Sequence, residues 1–301
     1  MGGLSPGLIL LIEGGLKEAK KLWLKISGSI TFILRVILRN KTFKVLFLCT
    51  LYNYSKVVNQ SMTKVSKRGF NENDKRWFSY KELLRLIKAQ EEIEWLINRE
   101  YKIEPVVNFA GDRYQFSLRQ RDALKRAVCS EEKKLIRQSK KLSIDEISEG
   151  PIYIDGFNLI ITLEVALSGG ILIIGSDGNV RDLAGLRGTY KIIDKTDEAL
   201  NLIGEFLNKY NAKEVKFYLD SPVSNSGNLK YKILDCAQSW KIKTEVKLVN
   251  NADVILEKLD RVVSSDAAII DKCISYFNVG RSIIEEFIKE ANIVNLNKNL
   301  F

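Results

Sequence analysis

The chain has 301 residues, 46% apolar and 28% charged, a balance that suits one large globular domain or two modest ones. It has no histidine, which excludes Ser-His-Asp and Cys-His catalysis, histidine acid–base work and histidine-ligated zinc. Four dispersed cysteines (Cys49, Cys129, Cys236 and Cys273) form no C-x-x-C, argue against a zinc ribbon or disulfide framework, and suit a reducing cytoplasm, so a cytoplasmic location is expected. The net charge of +10 divides unevenly, with +7 over residues 1–61, +5 over 62–150 and −2 over 151–301.

Residues 1–61 are basic and apolar. In "ITFILRVILRNKTFKVLFLCTLYNY", Arg35, Arg39, Lys41 and Lys44 interrupt the apolar run before ~20 residues accumulate, so no stable membrane insertion is expected. The favoured reading is that the protein begins at Met62, the only other methionine, with upstream sequence translated before it. A basic amphipathic helix on a membrane surface and an ordinary helical extension are the other two.

Residues 62–145 read as a small all-helical domain. Ser79 and Glu82 stand at capping-box spacing before the stripe Leu83, Leu86, Ile87, Ile93, Leu96, Ile97. Ser117 and Gln120 repeat that spacing before Leu124, Ala127, Val128 and Leu135. The loop "FAGDRYQF" between them permits a helix-turn-helix reading. From Arg113 to Lys141 there are 10 basic and 3 acidic residues, read either as a solvated face or as a phosphate-contacting surface using Arg113, Arg119, Arg121 and Lys125. "KKLSIDEISEGP" reads as a linker.

From residue 151 the pattern alternates. Strands are expected at "PIYID", "ILIIGS", "VKFYLD", "TEVKLV", "RVVSS" and "NIVNLN", with helices at 158–168, 196–210, 227–239, 265–277 and 280–290. This predicts an α/β domain over 151–301 with a mostly parallel sheet covered on both faces.

Acids follow three strand runs (Asp155, Asp220, Asp266), and Asp253 opens a helical run after a fourth. In open parallel sheets the ligand crevice lies outside the carboxyl ends of the strands. The four acids therefore form a candidate metal site, with Asn158 beside Asp155. Oxygen ligands suit Mg²⁺ or Mn²⁺, which support hydrolysis without histidine. Each acid also reads singly as a turn or helix-cap residue.

Four stretches carry a resemblance: "GDRYQFSLRQR" (111–121), "IDGFNLIITLEVALSG" (154–169), "SDGNVRDLAG" (176–185) and "LDSPVSNSG" (219–227). The chain resembles a two-part family with a helical head and a PIN-like, NYN-type nuclease domain, over about residues 69–300. "YIDGFNLI" is similar to the D-G-x-N opening of that nuclease group. "NADVILEKLDRVVSSDAAII" is similar to its later stretch, where an aspartate starts a helix and a serine-aspartate turn follows the next strand. The resemblance implies a three-layer, Rossmann-like PIN fold and a metal-dependent endoribonuclease acting on RNA. It implies metal-site roles for Asp155, Asp253 and Asp266, with Asn158 the matching amide and Asp220 placed by position alone. Ser264 and Ser265 of the serine-aspartate turn become candidate substrate contacts. The family's second aspartate after that turn is here Ala268, which leaves an RNA-binding module without cleavage as the alternative.

Two loops have double readings. "GSDGNVRDLAGLRG" is a hairpin turn at Asp177-Gly178-Asn179, or a substrate flap presenting Arg181, Asp182 and Arg187. "SPVSNSG" caps a helix through Ser221, Ser224 and Ser226, or holds a phosphate there. A nucleotide-binding Rossmann enzyme is disfavoured, because neither G-x-G-x-x-G after the first strand nor G-x-x-x-x-G-K-[ST] occurs.

Overall fold

A computed structural model describes residues 67–185 and 188–297, which belong to one compact unit, Val65–Phe301. The expectations for residues 1–61 and for Arg187 lie outside the described residues.

The first half is helical: α1 (Asp74–Trp77), α2 (Tyr80–Ile97), α3 (Ile103–Tyr114), α4 (Leu118–Ala127) and α5 (Glu131–Lys140). The Ser117–Gln120 capping box forms in full at the start of α4. The Ser79–Glu82 box does not form, because Arg85 and Gln120 take the Glu82 carboxylate instead. "FAGDRY" is no loop but the last turns of α3, and the chain reverses at Gln115, held at φ 56°. Gly111 makes room there for Arg121, whose guanidinium would meet any added Cβ at 2.6 Å. The expected linker is packed: a 3₁₀ turn at Ile144–Glu149, closed by its own Ser143–Glu146 capping box, buries Ile147 completely.

The second half holds eight strands among the described residues: β1 (Ile152–Asp155), β2 (Ile171–Ile174), β3 (Val180–Asp182), β4 (Glu214–Asp220), β5 (Lys243–Val249), β6 (Val262–Val263), β7 (Tyr276–Phe277) and β8 (Asn292–Asn295). Between them run α6 (Gly156–Leu167), α7 (Asp194–Lys209), α8 (Ser226–Ala237), α9 (Ala252–Leu256), α10 (Ala267–Lys272) and α11 (Val279–Phe287). The helix expected over 265–277 stops at Lys272. Tyr276 and Phe277 are fully buried and point into opposite layers, a period of two that makes them a strand.

The main sheet is parallel throughout, in the order β5-β4-β1-β6-β7. Counting its strands along the chain, this is 3-2-1-4-5, with the order reversing beside β1. Side-chain alternation builds three layers. Ile152, Ile154, Val215, Phe217, Leu219, Val263 and Phe277 face the core shared with α6, α7, α8 and α11. Tyr153, Tyr218, Val262 and Tyr276 face α9 and α10.

A smaller sheet, β3-β2-β8, lies between the two halves. Leu172 and Ile174 pack into the α/β core, whereas Ile171, Ile173 and Val294 pack with Leu86, Ile93, Val107 and Leu124 of the helical half. That accounts for the unbroken apolar run "ILII": both faces are buried. No helix among the described residues is long and apolar enough to cross a membrane.

Candidate functional site

The site forms where β1 and β6 separate and their following helices diverge. β1 ends in Asp155, which caps α6 by accepting from the Asn158 amide at 3.3 Å. Gly156 follows because α6 starts against β4: a Cβ there would lie 2.6 Å from Leu219 Cδ2 and 3.2 Å from the Tyr218 carbonyl. Phe157 turns into the core against Tyr190, with ring centroids 5.3 Å apart. Asn158, one turn on from Asp155, faces the site. So in "DGFN" the first and last residues serve the site, and the middle two serve packing.

The turn after β6 answers residue for residue. Ser264 Oγ donates to Asp155 Oδ2 at 2.9 Å and accepts from the Asp266 amide at 3.1 Å. Ser265 donates both its amide and its hydroxyl to Asn158 Oδ1, at 2.9 and 3.0 Å. Asp266 caps α10 through the amides of Ala268 and Ile269. Asp220, at the end of β4, accepts from the Ala252 amide at the start of α9, at 2.7 Å. Asp253 stands exposed in the first turn of α9, whose side-chain cap is Asn251 rather than Asp253.

The electrostatics tie these acids together. Burial, aided by the charges of Asp253 and Asp266, pushes the Asp155 carboxyl up to about 7 against the hydrogen bonds from Ser264 and Asn158. Asp253 is raised by desolvation and then by Asp266, Asp220 and Glu257. A cation relieves repulsion of this kind. Among the described residues, no three His, Cys, Asp or Glu side chains stand close enough to share one ion. The donor set still fits Mg²⁺, which is commonly bound through one or two carboxylates, with waters and substrate oxygens filling the octahedron.

A cleft of about 520 Å³ opens beside this edge, and of the four candidate acids only Asp266 lines it. Asn158, Ser265, Asp266 and Ala268 form one wall, and Arg181 and Asp182 of β3 adjoin them. The helical half forms the opposite side with Tyr101, Lys125, Arg126, Lys133 and Arg137. Of the basic residues singled out from sequence, Lys125 reaches the cleft; Arg113, Arg119 and Arg121 are not among its lining residues. Arg119 is clamped on Asp74 at 2.5 and 2.8 Å and on the Gly69 carbonyl. Arg121 binds the Phe116 and Asn108 carbonyls and pairs with Asp112, and Arg113 pairs with Glu92. The "GDRYQ…RQR" stretch therefore knits α1, α3 and α4 together.

The "SDGNVRD" stretch is more than a turn. Asp177 has a fully buried side chain and pairs with Arg181 and with Arg137 of α5, each at 2.6 Å. Burial alone would raise its pKa, but the hydrogen bonds and charge of Arg181, with Arg137, hold it well below the usual range. Arg137 also binds Asp271 of α10 at 2.6 Å. Arg181 then reaches the Ser265 carbonyl at 2.8 Å. Asp182 accepts from Thr162 at 3.2 Å and from the Ala184 amide at 2.8 Å while lining the cleft.

The serines of "SPVSNSG" are occupied locally. Ser226 donates to the Ser221 carbonyl, Ser224 Oγ accepts from the Tyr190 amide, and Ser221 Oγ bonds Asn250 at 3.4 Å. They line none of the cleft. Arg126, Arg137 and Tyr101 are site-lining residues that sequence reasoning missed. Only the fold reveals that the ends of α2, α4 and α5 meet the turn after β6.

An uncharacterized protein of Methanocaldococcus jannaschii, MJ0935, is 36% identical over 183 residues, which is 61% of this chain and 88% of that protein. The two chains belong to one family. Within it, a model described as a protein of unknown function (DUF434) matches residues 85–140, and a domain of unknown function (DUF5616) matches 144–282. The cleft takes Lys125–Arg137 from the first stretch and Asn158–Asp271 from the second, so both build one site. No solved structure matches the chain.

Proposed function

We propose that the protein is a PIN-like, metal-dependent ribonuclease that hydrolyses phosphodiester bonds in the cleft beside Asp155. One observation carries this reading: the charges of Asp155, Asp253 and Asp266 act on one another beside the reversal point of a 3-2-1-4-5 parallel sheet, and Asp266 lines a cleft that Lys125, Arg126 and Lys133 also line. The motif resemblance of residues 153–160 and 251–270 supports it, since the two stretches interlock through the Asp155–Ser264 and Asn158–Ser265 hydrogen bonds.

No more than two of Asp155, Asp253 and Asp266 would hold one Mg²⁺ or Mn²⁺, with waters and substrate oxygens completing its shell. When bound, that ion supplies Lewis-acid stabilisation of phosphoryl charge and acidifies water. The chain's own residues do the rest. Asp155, buried and bonded to Ser264 and the Asn158 amide, fixes the turn that carries Ser264 and Asp266. Asn158 fixes the turn at Ser265, and the cations of the helical wall draw the phosphate chain in. The experiment is digestion of mixed RNAs by the purified protein in Mn²⁺ and in EDTA; fragments only in Mn²⁺ support the reading.

A second reading, RNA binding without cleavage, is favoured by Ala268 at the position where the resemblance calls for an acid, and by the caps that occupy Asp155 and Asp266. In that case RNA is retained in both buffers and cut in neither.

A further inference from the structure

The proposed chemistry accounts for the sheet side of the cleft and leaves the helical side with only a general attraction. Its cations are not equivalent. Lys125 is paired with Glu104 at 3.0 Å, Lys133 with Asp271 at 2.8 Å, and Arg137 with both Asp177 and Asp271. Arg181 is spent on Asp177. Arg126 differs: it lines the cleft half-exposed, and its guanidinium has no carboxylate partner among the described residues.

Its place is built rather than incidental. Arg181 donates from one nitrogen to the Arg126 carbonyl at 3.2 Å and from another to the Ser265 carbonyl at 2.8 Å, so one guanidinium spans the end of α4 and the turn bearing Ser264, Ser265 and Asp266. The next residue is tied as well, since the Ser176 amide donates to the Ala127 carbonyl at 2.7 Å. Arg126 is therefore held at a fixed offset from Asn158 and Asp266. Tyr101, itself 59% exposed, lines the same cleft, as do Ile97 and Ile103. A free guanidinium and an exposed aromatic face in one cleft of about 520 Å³ match the phosphate and the base of a nucleotide unit.

We propose that Arg126 is a phosphate-binding residue of the cleft and that Tyr101 provides a stacking face for the adjoining base, so that the helical half grips the RNA beside the strand-end acids. This rests on the RNA reading of the cleft given above. Neither residue performs chemistry; both position the chain. Arg126 has no internal pair to lose, so its replacement leaves the fold intact.

The test is fluorescence anisotropy with a labelled oligouridylate of about 12 nucleotides, in EDTA, across a salt series. Arg126→Gln should weaken binding about tenfold at about 50 mM salt and reduce the slope of log Kd against log salt by about 0.7. Tyr101→Ala should weaken it at least about fivefold with the slope unchanged, and Tyr101→Phe should stay within about twofold of the parent. Arg126→Gln or Tyr101→Ala binding like the parent overturns that residue's assignment, and a parent that does not hold the oligonucleotide overturns both. Because EDTA separates binding from cleavage, the two readings fail differently. RNA held in EDTA but left whole in Mn²⁺ defeats the nuclease reading and keeps the grip. RNA cut by an Arg126→Gln variant that binds like the parent defeats the grip and keeps the nuclease.

Discussion

Ser264 and Asp155 meet at 2.9 Å, 109 residues apart in sequence, and this bond closes the gap between β1 and β6 at the reversal of the sheet. It also stands against the burial that raises Asp155. Removing it should cost more when the carboxyl is charged. Ser264→Ala should lose about 2 kcal/mol at pH 8 and about 1 kcal/mol at pH 5, since hydrogen bonds to charged groups are the stronger. Urea unfolding at the two pH values measures this; an equal loss at both would mean that the bond does not sense the charge.

Asp155 itself makes stability depend on pH. Its folded pKa of about 7 lies above an unfolded value near 3.9, so between these limits the folded state binds the extra proton. Stability therefore falls as pH rises from about 4 to about 7, by an amount on the order of 4 kcal/mol before relaxation. Asp155→Asn removes the charge and should flatten the curve, melting above the parent at pH 8 in EDTA. Melting scans from pH 4 to 8 decide it; a variant that melts below the parent at pH 8 contradicts the assignment.

Arg137 joins the helical half to the site from a side chain only 5% exposed. Arg137→Met strands Asp271 with Lys133 alone and leaves Asp177 to Arg181, and should cost about 3 kcal/mol or more in urea unfolding. Lys125→Ala, which breaks the exposed pair with Glu104, should cost under about 1 kcal/mol. Similar losses for the two would mean that the Arg137 network does not fasten the halves.

Much of the architecture was legible because it follows from period and punctuation. Six strands, the acids at their ends and the Ser117 capping box are local signals, and the structure keeps them. The misses have physical causes. β3 is only three residues long, and Val180 is its one apolar residue. "CISYF" continued a helical period across a break that only burial on opposite faces reveals. Glu82 has the spacing of a capping-box residue, but a tertiary partner, Arg85 with Gln120, outbids the local cap. The basic run from Arg113 to Lys141 was visible as charge, yet which cations face the cleft depends on long-range pairs such as Arg119–Asp74. Arg126 and Tyr101 carry no motif, and only the packing of the end of α4 and of the connection between α2 and α3 brings them to the site.

Ala268 stands exposed in the first turn of α10, lining the cleft beside Asp266. Ala268→Asp adds a carboxylate where the helix dipole favours one, so the fold should be kept. Calorimetric titration should show Mn²⁺ bound at least about tenfold more tightly than by the parent, as expected for one more anionic oxygen ligand. Unchanged affinity would place the ion, if bound, away from α10.

The most direct measurement is the cleavage rate of one defined RNA by the parent and by Asp155→Asn, in Mn²⁺ with an EDTA control. The parent should cut in Mn²⁺, EDTA should stop it, and Asp155→Asn should lower the rate at least about 100-fold while the protein stays folded. RNA left intact by the folded parent in Mn²⁺, or cut equally fast by Asp155→Asn, would contradict the nuclease reading.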